Sequence, residues 1–85
     1  MSNAKATLEM ADKYPYDASD EWLESSNDPA PVAMDWAQRA ARGVIADLQD
    51  RRGIKHEFSE VDEDVRAEIV ASLSDIIRQA YRDSL

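Results

Sequence analysis

His56 is the single histidine of the chain and the first residue to test for chemistry. A general base needs a nucleophile or substrate group within hydrogen-bond reach and a second residue to orient it. Ser59 lies nearby, with Glu57 and Glu60 beside it. That order and spacing match no nucleophile–base–orienter set. His56 therefore reads as an exposed or half-buried loop histidine, and the chain as a non-enzyme.

Asp62, Glu63 and Asp64 raise the question of a cation site. A calcium loop of the EF-hand type alternates oxygen ligands over about twelve residues, with glycine at the sixth. The only glycines are Gly43 and Gly53, so neither that loop nor a phosphate-cradling one can be built. Three acids at the start of an apolar-periodic run instead suit a helix N-terminus, where negative charge is favoured. The chain has no cysteine, which removes disulfides and thiolate metal sites and fits a reducing cytoplasm. No metal and no cofactor is expected.

Charge is the strongest signal. Eighteen acids against ten bases give a net charge of −8 over 85 residues. Residues 1–31 carry seven acids and two bases, 32–58 four and five, and 59–85 seven and three. Two acidic segments flank a nearly neutral one. Such a surface repels nucleic acid and anionic membranes and attracts basic proteins. No apolar run approaches the ~20 residues that span a bilayer, and Met1–Lys5 holds no signal core. A cytoplasmic protein is expected, touching neither membrane nor nucleic acid directly.

The acids fall into two runs. The first is Asp12, Asp17, Asp20, Glu21, Glu24 and Asp28; the second is Glu57, Glu60, Asp62, Glu63, Asp64 and Glu68. Trp22 sits inside the first and reads either as core or as an aromatic anchor against an arginine-rich partner. The most basic neighbourhood is Arg39, Arg42, Arg51, Arg52, Lys55 and His56. It reads as salt-bridging arginines or a self-association surface.

The elements that must position these residues are helical. Val65, Ile69, Leu73, Ile76, Ile77 and Ala80 recur at spacings of three and four, which predicts a helix over 62–82. Ala33, Trp36, Ala37, Ala40, Val44 and Leu48 predict a second over 31–52, opened by Pro31 and stopped by Gly53. Asp35–Arg39 and Asp47–Arg51 are candidate ion pairs along it. Gly43 inside it implies either a close helix crossing or simple tolerance. Ile54–Val61 alternates but cannot form a sheet alone, so it reads as a loop folding Ile54 and Phe58 onto the core. Ala4–Lys13 predicts a short helix ended by Tyr14-Pro15-Tyr16. Asp17 or Ser19 caps another through Ser25, and Ser25–Pro31 is turn-rich. Trp22, Leu23 and Leu8 are left to cover the open face of the long hairpin. The expectation is one all-α domain over 1–85, a three- or four-helix bundle on an antiparallel helical hairpin.

Small size, acidity, helicity and the phrase Asp64-Val65-Arg66-Ala67-Glu68-Ile69-Val70 with Ile76-Ile77-Arg78 resemble the short helical proteins of phages and mobile elements, the anti-CRISPR inhibitors among them. The resemblance implies an inhibitor that plugs or mimics nucleic acid on a basic protein surface. The residues expected to meet that partner are Asp17, Asp20, Glu21, Trp22, Glu24, Asp28, Glu60, Asp62, Glu63, Asp64 and Glu68. The alternative is a self-associating assembly module, with a homodimer as its form.

Overall fold

Residues 3–25 and 28–85 are described by a computed structural model, and among them every regular element is a helix. The order is α1 (Ala4–Lys13), α2 (Asp20–Ser25), α3 (Trp36–Gln49), α4 (Lys55–Ser59) and α5 (Glu63–Ser84). The chain is a small all-α bundle in which α3 is the central helix, packing against both α1 and α5. The expected turn-rich connection over Ser25–Pro31 is described only at Ser25 and from Asp28 onward; Ser26 and Asn27 lie outside the described residues, as do Met1 and Ser2.

Each boundary has a local cause. The Asn3 side chain accepts from the Ala6 N–H at 3.1 Å and caps α1. Pro15 ends α1 by disfavouring helical geometry at Tyr14. Ser19, not Asp17, caps α2, its hydroxyl accepting from the Trp22 N–H at 3.1 Å. The first turn of α3 is not at Pro31. Asp35 caps it instead, accepting from the Gln38 N–H at 2.9 Å, while Gln38 returns a bond from its own side chain to the Met34 N–H at 2.6 Å. That reciprocal pair stops the helix from extending upstream. Gly53 lies in the turn after α3 with φ +89°, the left-handed region that favours glycine. Residues 55–59 form a helical turn rather than the expected loop, and Phe58 is half-buried while Ile54 stays exposed.

Helices α3 and α5 make the antiparallel hairpin. Trp36, at the start of α3, meets Tyr81, near the end of α5, edge to face with ring centroids 5.4 Å apart. The core is Tyr16, Ala41, Ile45 and Val70, ringed by Leu48, Phe58, Ile69, Leu73 and Ile77. Gly43 marks a close crossing by α1: a Cβ there would lie 2.8 Å from Leu8 Cδ2. The line of α5 facing inward is Arg66, Val70 and Ser74; Val65, Ile76 and Ala80 from the expected stripe point outward. On α3, Ala37, Ala41 and Ile45 are buried, whereas Trp36 and Val44 are largely exposed. Leu8 does cover α3, but Leu23 remains exposed.

Candidate protein-binding surface

Two buried arginines determine which acids are left for a partner. Arg42 of α3 is 4% exposed. Its Nε donates to Asp17 Oδ1 at 2.7 Å, and its Nη1 donates to the Pro31 carbonyl at 2.8 Å. Gln38 adds a donor to Asp17 Oδ2 at 2.9 Å. Arg66 of α5 donates to the carbonyls of Tyr16 (3.1 Å), Val61 (2.6 Å) and Ala18 (3.3 Å), and to Asp20 Oδ1 at 2.7 Å. Both guanidiniums grip the chain between α1 and α2. No side-chain polar atom buried among the described residues lacks a partner, which is what burying two charges requires. Tyr16 completes the clamp: its hydroxyl donates to the Phe58 carbonyl at 2.8 Å, and its ring stands edge-on to Phe58. Burial pushes the phenol above its ordinary value, so it stays protonated as that donor.

Asp17 is therefore not a partner contact. It was read as part of a surface run, but its carboxylate is the counter-ion of a buried arginine, only 9% exposed. Asp20 is more open, yet it is tied to Arg66, and its N–H donates to Glu63 Oε1. Trp22 is half-buried, with Nε1 donating to the Asp28 and Pro29 carbonyls at 3.2 and 3.0 Å. It fastens the end of α2 to the following segment. Asp12 is spent on Arg39, at 2.9 Å. That hydrogen bond, followed by the charge of Arg39, holds the Asp12 carboxyl below its usual range. Asp35 pairs with Arg78, not with Arg39 as its spacing suggested, while Asp47–Arg51 forms as expected.

What remains is a set of exposed carboxylates with no salt bridge among the described residues: Glu21, Glu24 and Asp28 from the first run, and Asp62, Glu63, Asp64 and Glu68 from the second. Glu60 lies 3.5 Å from His56 Nε2 on the exposed side of α4. The Asp20–Glu63 and Asp20–Arg66 bonds set the first turn of α2 against the first turn of α5. Two runs some forty residues apart in sequence thus meet at one end of the molecule. Asp64 and Glu68 stand one helical turn apart on the outer side of α5, about 6 Å along the axis.

Around His56 the geometry offers no nucleophile. The Ser59 hydroxyl donates to the Lys55 carbonyl at 2.9 Å rather than engaging the imidazole. Among the described residues no group of three or more His, Asp or Glu side chains is placed to hold a metal ion. No helix described is long and apolar enough to cross a membrane. No protein-family model, curated protein or solved structure matches this chain.

The sequence reading missed the inward-facing Arg66, the exposed Val32 and Met34, and the Trp36–Tyr81 pair. A signal for the last three was present: apolar residues in a proline-flanked stretch that lacks helical periodicity have no core to enter.

Proposed function

We propose that this protein is a non-enzymatic binding inhibitor that occupies the basic, nucleic-acid-binding surface of a larger protein. One observation carries the reading. Five of the seven arginines are spent on internal ion pairs, while the carboxylates at the α2–α5 junction are left unneutralised. The molecule thus presents negative charge on a clamped framework, with Arg66 fixing the relative placement of the two helix starts. Pre-ordered charge of this kind steers encounter with a basic surface and limits the ordering cost of binding. The turn-by-turn spacing of Asp64 and Glu68 is comparable to that of backbone phosphates, so competitive occupancy of a nucleic-acid groove is the mechanism. A cytoplasmic setting, where such surfaces are found, belongs to the same reading.

The contact set is narrower than the sequence suggested: Glu21 and Glu24 on α2, with Asp62, Asp64 and Glu68 on α5. The test is capture of basic proteins from a host lysate by the immobilised chain, with release by added DNA or RNA. Glu21→Lys with Glu24→Lys, and separately Asp64→Lys with Glu68→Lys, should leave the fold intact because none of these side chains makes an ion pair. At least one pair should lower affinity tenfold or more, and binding should weaken as salt shortens the Debye length from ~10 Å at 0.1 M to ~3 Å at 1 M. Capture that ignores salt, nucleic acid and both double variants would overturn the reading.

A further inference from the structure

The end of the bundle opposite the acidic junction is apolar, exposed and nearly neutral. Helix α5 has 22 residues, so its two ends are about 33 Å apart. At its far end Tyr81 stacks edge-on against Trp36, and both rings are more than half exposed. Just before α3 the chain runs without regular structure through Pro31, Val32 and Ala33 to Met34. Val32 is 89% and Met34 84% exposed. Neither is loose: the Pro31 carbonyl is held by Arg42 and the Met34 N–H by Gln38. Beside them Trp36, Pro31, Val32 and Ala33 border a shallow cleft of about 420 Å³. A protruding methionine and valine next to an aromatic-walled cleft give this end both a knob and a hole. Clustered Trp, Tyr and Met of this kind are enriched at protein interfaces.

Charge selects the occupant. Residues 60–70 hold five acids and one base, whereas 71–85 hold two and two, and 35–42, which lie alongside them, hold one acid and two bases. With Asp12 and Asp17 paired to Arg39 and Arg42, the aromatic end is close to neutral and the rest carries almost all of the −8. A basic partner gains nothing by docking there. Two copies of this chain, which repel each other everywhere else, meet at that end with least repulsion. A twofold contact also requires one patch to be self-complementary, each copy giving a knob and receiving one.

We infer that the chain forms a homodimer through Val32, Met34, Trp36 and Tyr81, with the acidic junctions pointing away from the interface. This inference is independent of the inhibitory reading, because it uses the opposite end of the molecule.

Sedimentation equilibrium of the full chain tests it. The wild type should dimerise, and the dimer should tighten as salt rises, since salt screens only the residual repulsion between copies. That is the reverse of the salt dependence expected for a basic partner. Met34→Glu and Val32→Glu change solvent-exposed side chains, so circular dichroism and melting temperature should stay as in the wild type. Each should weaken dimerisation at least about tenfold. Glu21→Lys with Glu24→Lys should leave the dimer intact. A wild type that stays monomeric to about 1 mM, or folded Met34→Glu and Val32→Glu variants that dimerise like the wild type, would overturn the inference.

Discussion

Asp20 and Arg66 are joined twice over: the guanidinium of Arg66 donates to the Asp20 carboxylate at 2.7 Å, and the Asp20 N–H donates to Glu63, three residues before Arg66. One ion pair therefore sets where the acidic run of α2 sits relative to that of α5. The same arginine satisfies the carbonyls of Tyr16, Ala18 and Val61, which are close to the only structure holding the segment between α1 and α2.

Removing Arg66 should therefore unfold much of the protein. Arg66→Met keeps the aliphatic stem but strips four hydrogen bonds and leaves buried carbonyls unpaired, at a cost of about 2–4 kcal/mol. A chain this short has roughly 5–10 kcal/mol to lose. Arg51→Met removes an exposed pair within one helix and should cost under about 0.5 kcal/mol. Urea denaturation of both variants checks the contrast; equal losses would show that Arg66 is no clamp.

Acid should act through the carboxylates that are held down. Asp35 lies below the ordinary aspartate value of 3.8, first because the Gln38 N–H donates to it and then because Arg78 does. Asp12 is lowered by Arg39. A group depressed in the folded state contributes fully above its unfolded value and loses that contribution as pH falls through the folded one. Melting temperature should thus decline below about pH 4 from these two sites. Asp35→Asn keeps an N-cap acceptor but loses the Arg78 ion pair, so it should be less stable than the wild type at pH 7. The gap should close toward about pH 2–3; a gap that persists unchanged there would show that the ion pair is not its source.

The helical fold was legible because two long stretches carry apolar residues at helical spacing, and α1 and α5 begin and end within about two residues of where capping and charge placed them. The rotation of α5 was not legible. Counting apolar positions puts Val65 and Ile76 inside, whereas loop carbonyls supplied from residues 16–18 and 61 draw Arg66 inward and turn those two out. Nothing in a helical pattern announces acceptors that lie some fifty residues away. Asp17 was misread for the same reason: an acid in an acidic run looks solvated until Arg42 is found against it. The start of α3 was placed at Pro31 because proline suits a first turn, but the Asp35–Gln38 exchange is the stronger local signal.

That rotation predicts opposite outcomes for two isoleucines of one stripe. Ile69 packs against the Ile45–Val70 core, so Ile69→Asp places a carboxylate at a core edge and should cost about 2–4 kcal/mol. Ile76 is 64% exposed, and Ile76→Asp should stay within about 0.5 kcal/mol of the wild type. Thermal melts of the two variants decide between this register and one centred on the full apolar stripe, which would make both substitutions severe.

Gly43 tests the contact that holds α1. In a helix interior, glycine to alanine gains about 1 kcal/mol of propensity. Here the added methyl would meet Leu8 Cδ2 at 2.8 Å, so Leu8 must move or α1 must lift. The flexible end of a leucine can yield, which makes Gly43→Ala close to neutral. Gly43→Val cannot be absorbed so cheaply and should cost about 1–3 kcal/mol through overpacking. The two effects at Gly43→Ala separate in a double-mutant cycle with Leu8→Ala. Once Leu8 is truncated the clash is gone, and Gly43→Ala should stabilise that background by about 1 kcal/mol. If alanine at 43 has the same effect with and without the Leu8 side chain, the two residues do not touch, and α1 is held to α3 by the Asp12–Arg39 pair and the Asn3 end instead.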